Sequence, residues 1–125
     1  MSDDLSVFEY CVLRVIPRIE RGESINAGVI VYSRTLGFLG SRTHLDVERL
    51  RAIDPATDPE QVRAALASAS ECALRGDDDN GRRFRWLTAP RSTVVQPGPI
   101  HTGLTRDAQA ELERLFALLV LPVAP

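Results

Sequence analysis

The chain has 125 residues, of which 44% are hydrophobic and 26% are charged, and its formal net charge at pH 7 is −2. This length favours a single domain over residues 1–125, with a core large enough to need no disulfide or metal. The slightly acidic balance argues against a general nucleic-acid or membrane-surface binder, because such proteins carry a strong basic excess.

The start of the chain and its two cysteines indicate a cellular location. Residues 1–4 are acidic and lack the basic and apolar regions of a signal peptide. Cys11 lies in an apolar run and Cys72 on a predicted helical face, so both resemble small buried hydrophobic residues more than a disulfide or metal pair. We therefore expect a cytoplasmic protein without a membrane span.

Apolar runs near the N-terminus predict the central strands of a sheet. Residues 7–16 are rich in β-branched and aromatic residues and stop at Pro17. Alternation places Arg14 in an otherwise apolar row, where it either reaches water or a glutamate at the strand end, or points into a site. A second strand is predicted over residues 25–33, and a turn connects it to a third strand over residues 38–43.

A polar loop joins the first two predicted strands and is the first candidate site. Its chemistry-bearing residues are two carboxylates, an arginine and an amide: Glu20, Glu23, Arg21 and Asn26. Loops held on rigid strands often carry binding groups. A carboxylate near an arginine stays ionised, which suits ligand orientation better than acid catalysis. In the alternative interpretation, either glutamate pairs with Arg14 or Arg21 and the loop satisfies its own charges.

The middle of the chain predicts two helices and a further strand. Asp46 caps a short helix, and Asp58 caps a longer one. Residues 77–81 predict an exposed turn, and residues 82–87 predict a strand.

The strand predicted over residues 82–87 alternates aromatic and basic residues. Phe84 and Trp86 would enter the core, while Arg83 and Arg85 would line a solvated face. Arginines and aromatics on opposite faces cannot bind a nucleic acid together, so this run does not favour nucleic-acid binding.

Residues 88–104 carry three prolines and no helical period, which predicts a long irregular connection with a short edge strand over residues 91–95. The second candidate site lies here. Arg91 offers a planar bidentate donor, and Ser92 and Thr93 offer short hydroxyl donors that suit a phosphate or a carboxylate. Ordinary turn capping by the two hydroxyls is the alternative.

The third candidate site directly precedes the last predicted helix. Thr105 or Asp107 is predicted to cap that helix, and Pro122 ends it. His101 is able to titrate near neutral pH, and with Thr102 it could present an anion to the helix start. A surface histidine that only forms hydrogen bonds is the alternative.

The standard catalytic and metal-binding patterns are absent from the sequence. It contains no Gly-x-Ser-x-Gly elbow and no dinucleotide fingerprint, and His44 and His101 lack metal-ligand spacing. A triad assembled in space from Ser92 and His101 stays open as an alternative. We expect neither a cofactor nor a metal.

The order of these motifs resembles a known family. The segments are YCVLR (10–14), ERGE (20–23), NAGV (26–29), RFRWL (83–87), APRST (89–93) and HTGL (101–104). Over residues 8–120 the chain resembles the short bacterial proteins grouped as domain-of-unknown-function family 3037. The resemblance implies no activity and no catalytic residues. It implies a protein partner, a HipA-like kinase, because family members are often encoded beside such kinases.

We therefore predict one α+β domain with a mainly antiparallel sheet of four or five strands and helices packed on one face. The leading hypothesis is a non-catalytic binding or accessory protein that holds a small anionic ligand or a partner. Its candidate binding residues are Arg14, Arg21, Asn26, Arg91, Ser92, Thr93, His101 and Thr102. The alternative is an enzyme acting on a phosphorylated or nucleotide-like substrate, with Glu20 or Glu23 as base and His101 as acid.

Overall fold

An antiparallel sheet forms the centre of the computed structural model, which describes residues 4–74, 79–91 and 93–123. Its strands are β1 (Ser6–Val15), β2 (Ile25–Ser33), β3 (Phe38–Thr43), β4 (Val95–Pro97) and β5 (His101–Thr105). β2 lies between β3 and β1, and both β4 and β5 pair with the remaining edge of β1. The predictions of a single α+β domain and of a mainly antiparallel sheet of four or five strands are confirmed.

Four helices cover this sheet: α1 (Val47–Ile53), α2 (Pro59–Leu74), α3 (Asn80–Leu87) and α4 (Ala108–Leu119). The predicted caps hold, since Asp46 accepts from the Arg49 amide and Asp107 from the Ala110 amide. α1, α2 and α3 lie over one face of the sheet and α4 lies over the other, so the prediction that the helices pack on one face is wrong. None of the helices in the described ranges combines the length and hydrophobicity needed to cross a membrane.

Strand alternation gives each sheet face its own apolar core. Cys11 and Leu13 of β1 point toward α1–α3, whereas Phe8 points toward α4. β2 is buried on both faces, and the core beneath α4 holds Val29 and Val31. This burial on both sides explains the nearly continuous apolar run that predicted β2.

A bulge in β2 changes which residues face each core. Leu13 pairs with Gly28 and Arg14 pairs with Asn26, so Ala27 is an extra residue without a counterpart in β1. Arg14 and Asn26 therefore lie opposite each other, on the face that carries α4.

The strand predicted over residues 82–87 is wrong, because this segment belongs to α3. Asp79 caps the helix through its side chain. Helical spacing buries Phe84 and Leu87 together and leaves Trp86 59% exposed. A short aromatic run does not distinguish a strand from a helix by its period alone, and the alternation of aromatic residues was misleading.

The two arginines of this segment are also placed differently from the prediction. Arg85 is exposed as expected, but Arg83 is buried at 7% exposure. The Arg83 Nη2 donates to Asn80 Oδ1 one helical turn earlier. Arg83 therefore belongs to the inner side of α3.

The connection over residues 88–104 is more regular than predicted. β4 pairs with residues 13–15 and β5 with residues 6–10, so both extend the sheet along β1. The edge strand expected over residues 91–95 begins instead at Val95. Prolines are tolerated here because an edge strand has no ladder partner on its outer side.

We expect Leu112→Ala to lower the free energy of unfolding by about 2–5 kcal/mol, because it removes a buried side chain and leaves a cavity. Leu118→Ala is the matched control in the same helix, and it should change stability by less than about 0.5 kcal/mol. The two leucines are 2% and 63% exposed, respectively. Urea denaturation followed by circular dichroism measures both values, and equal losses would contradict the packing of α4.

The two thiols should differ sharply in reactivity. Cys11 is fully buried, and burial raises the pKa of its thiol from 9.0 to about 11, against the smaller opposing effect of Arg14. Cys72 is half-buried. At pH 8 a disulfide reagent should modify about one thiol per native chain, and none in Cys72→Ala. Rapid labelling of native Cys72→Ala would contradict the burial of Cys11.

Candidate functional site

An apolar cleft with a volume of about 380 Å³ opens between α2, the end of α3 and β4. We call it the Trp86 cleft. Its lining residues are Leu13, Ala65, Ser68, Ala69, Trp86, Arg91, Thr93, Val95 and Pro97. The contribution of α2 is a face of small side chains, which leaves space between this helix and the sheet.

Arg91 is the charged residue of the Trp86 cleft. Its Cζ lies 4.4 Å from the centre of the Trp86 ring, and its Nη2 donates to the Trp86 carbonyl oxygen at 2.5 Å. These contacts hold the guanidinium at the cleft wall and leave further N–H donors available. Within the described residues, Arg91 forms no ion pair.

The hydroxyls that follow Arg91 contribute less than predicted. The Thr93 Oγ1 donates to the Val95 carbonyl oxygen at 2.7 Å, which is the local capping role of the alternative interpretation. Ser92 lies outside the described residues.

The polar loop between β1 and β2 pairs its charges internally. The Arg21 Nε donates to Glu23 Oε1 at 2.5 Å, and this hydrogen bond raises the pKa of Arg21. The Glu20 Oε1 lies 3.8 Å from Arg18 Nη1. All four side chains are exposed, by 44–72%. Both glutamates thus have arginine partners, although neither partner is Arg14.

Asp54 anchors this loop to the end of α1. Its Oδ1 accepts from Arg18 Nη2 at 3.4 Å and from the Ala56 amide at 3.0 Å, and its Oδ2 accepts from the Thr57 hydroxyl at 2.8 Å. The Thr57 hydroxyl has the largest effect in lowering the pKa of Asp54, followed by the Ala56 amide, whereas burial of the carboxylate opposes the shift.

His101 does not meet the loop glutamates. It lies in β5 opposite Tyr10, with the two rings 5.1 Å apart, and it is exposed. Glu23 precedes Ile25, which pairs with Val15. Tyr10 and Val15 are five residue steps apart along β1, a distance of about 17 Å. An acid–base pair of Glu23 and His101 therefore has no geometric support.

The remaining predicted residues lie on different faces of the sheet. Arg14 and Asn26 face α4, and Asn26 Nδ2 donates to the Leu119 carbonyl oxygen at 3.0 Å. Thr102 pairs with Glu9 and points to the face opposite His101. The candidate residues thus divide into separate places instead of converging on one site.

Sequence reasoning missed Trp86, which it assigned to the core, and Gln96, which it did not consider. Asp79 was the available signal for Trp86, because an aspartate cap in front of residues 80–87 indicates a helix that turns Trp86 outward. Gln96 had no such signal, since its position depends on pairing with distant Arg14. Within the described ranges, no group of three or more His, Cys, Asp or Glu side chains is arranged so that it could hold a metal ion.

Comparison with known proteins gives one match. The model of the family described as "Protein of unknown function (DUF3037)" matches residues 10–120, a range that contains both Arg14 and the Trp86 cleft. No curated protein and no solved structure is significantly similar to the chain.

The environment of Asp54 predicts an acid-sensitive contribution to stability. Because its pKa is lowered in the folded state, the ionised carboxylate stabilises the fold above the unfolded value of about 3.9, and this contribution is lost as the pH falls through the folded value. Asp54→Asn should therefore be less stable than the wild type at pH 7, and the difference should shrink below about pH 4.

Thr57→Ala removes the largest cause of the shift and should reduce the acid dependence in the same direction. Thermal unfolding between pH 2.5 and pH 7 measures both variants. A stability difference for Asp54→Asn that stays constant over this range would contradict the lowered pKa.

Proposed function

The chain belongs to the DUF3037 family, and we propose that it is a non-catalytic binding protein whose Trp86 cleft holds a small ligand with a flat apolar body and an anionic group. The observation that carries this proposal is the guanidinium of Arg91, held over Trp86 at the wall of an apolar cleft. This combination supplies both a surface for the apolar body and a charge for the anion.

The shape of the cleft supports a small ligand. Small-molecule sites typically occupy about 300–1,000 Å³ and combine apolar walls with a few polar groups. The Trp86 cleft, at about 380 Å³, lies at the lower end of this range. Ala65 and Ala69 line the cleft on the α2 side, and Val95 and Pro97 line it on the β4 side, so a ligand would contact apolar side chains of both elements.

The electrostatics of the cleft favour an anion. Arg91 is half-buried and forms no ion pair within the described part of the chain. A guanidinium binds a carboxylate or a phosphate through two parallel hydrogen bonds, which are stronger than those between neutral groups. Because Arg91 already binds the Trp86 carbonyl oxygen, it is oriented before a ligand arrives and loses less side-chain entropy on binding.

A partner protein is the second candidate for this site. Trp86 is 59% exposed, and tryptophan and arginine are enriched among the residues that dominate protein-binding energies. The partner would insert an apolar or acidic side chain into the cleft. A HipA-like kinase is the partner that the family resemblance implies.

A thermal-shift screen should identify the ligand class. We expect benzoate or adenosine monophosphate to stabilise the protein, whereas benzamide, which is flat but neutral, should stabilise it less. A ligand present at 100 times its dissociation constant adds about 2.7 kcal/mol. Because Trp86 is the single tryptophan, its fluorescence should change saturably with the same ligands.

Variants separate this site from general charge effects. Arg91→Gln should weaken binding of the anion by about tenfold or more, since a hydrogen bond to a charged group contributes about 1.5–3 kcal/mol. Arg82→Gln, an exposed change in α3, should leave it intact. Ala65→Trp should fill the cleft and abolish binding. Stabilisation that is equal in wild type and Arg91→Gln would reject the anion site, and capture of a HipA-like kinase that needs Trp86 would favour the partner.

A further inference from the structure

We propose that Arg14 forms a second binding site, for a carboxylate or phosphate group, on the sheet face that carries α4. This site is independent of the Trp86 cleft, because Leu13 faces the cleft and Arg14, the next residue of β1, points to the opposite face. This site would recognise the oxyanion group of its ligand, and the ligand needs no flat apolar body.

Three polar side chains form a row across the strands at this position. Arg14 in β1 pairs with Gln96 of β4 on one side and with Asn26 of β2 on the other. Directly paired residues point to the same face, so the Arg14 side chain leaves β1 between two amide side chains. All three residues are half-buried. The row is therefore neither a solvated charge pair nor part of the apolar core.

Gly98 provides a flat support for the guanidinium. A Cβ atom at position 98 would lie 3.1 Å from Arg14 Cζ and 3.3 Å from Arg14 Nε. Because the central carbon is the nearest atom of the group, the guanidinium meets the backbone with its face. Its N–H edges therefore stay available for partners. The missing side chain at position 98 thus permits this orientation.

No carboxylate in the described part of the chain neutralises the charge of Arg14. Glu20 and Glu23 bind other arginines of the loop, and Glu111 binds Arg114 in α4. In the described part of the chain Arg14 has no ion pair. A partly buried charge is unfavourable unless a counter-charge and hydrogen bonds compensate its lost hydration. A bound oxyanion would supply both.

The donors of the row match an oxyanion. Arg14 can donate two parallel hydrogen bonds to a carboxylate or a phosphate. The Gln96 side chain forms no hydrogen bond within the described ranges, so its amide N–H groups can complete the site. The Asn26 amide is bound to the Leu119 carbonyl oxygen and holds the end of α4 beside the row. Asn26 therefore positions the site while Arg14 and Gln96 contact the anion.

Nuclear magnetic resonance of the full chain labelled with ¹⁵N tests this site directly. Inorganic phosphate and sodium acetate are titrated separately, and sodium chloride at matched ionic strength is the control. We expect a saturable shift of the Arg14 Nε–Hε resonance and of the Gln96 side-chain amide with phosphate, acetate or both. The probe that binds more tightly identifies the oxyanion class.

Three variants decide the outcome. Arg14→Gln should abolish the saturable shift at Gln96. Gly98→Ala keeps the charge but pushes the guanidinium away from the backbone by a few tenths of an ångström, and it should weaken binding relative to the wild type. Arg91→Gln should leave the affinity unchanged. Failure of Arg91→Gln to bind would overturn the independence of the two sites.

Two further results would overturn the Arg14 site itself. One is the absence of a saturable shift with either probe, and the other is an equal response to sodium chloride. Circular dichroism confirms that each variant is folded before it is compared, and Gly98→Ala keeps the test decisive if Arg14→Gln is unstable. Neither result depends on ligand binding at Trp86, so the failure of one proposal does not decide the other.

Discussion

The pairing of β1 along both of its edges is the constraint on which the rest of the structure depends. β2 pairs with one edge of β1 from Glu9 to Val15, and β5 and β4 divide the other edge between them. These contacts join residues that are far apart in sequence. They also give β1 two covered faces, because three helices pack on one side of the sheet and α4 on the other. Each candidate site contains a residue of β1: Leu13 lines the Trp86 cleft, and Arg14 lies on the opposite face of the sheet.

The charge distribution follows from the same arrangement. In the loop between β1 and β2, Glu20 and Glu23 form ion pairs with arginines of the same loop. These two carboxylates therefore do not neutralise arginines on the sheet. Among the described arginines, Arg14 and Arg91 are the two that are half-buried, and neither forms an ion pair with a described carboxylate. Exposed ion pairs contribute little to stability, so the pairs of this loop have little effect on the fold. The two half-buried arginines instead provide the positive charge of the two proposed binding sites, one on each face of the sheet.

Local signals predicted much of the fold. The apolar runs of β1 and β2 and the aspartate caps of α1 and α4 act within a few residues, so they are visible in the sequence. β5 was missed and β4 was predicted a few residues too early, because the strand conformation of both comes from pairing with β1. The site was predictable only in part. Arg14 and Arg91 were recognisable by residue type, but their separation depends on alternation within β1, and the exposure of Trp86 depends on the helical state of α3.

The bulge at Ala27 has a consequence for changes of chain length. In a regular strand, removing one residue moves every side chain on one side of the deletion to the opposite face of the sheet. At Ala27 the pairs on both sides already match β1, since Gly28 faces Leu13 and Asn26 faces Arg14. Deleting Ala27 would leave these pairs in register and would remove its buried methyl group and its hydrogen bond from the His44 amide. β2 can therefore shorten at this position without exchanging the residues that face its two cores.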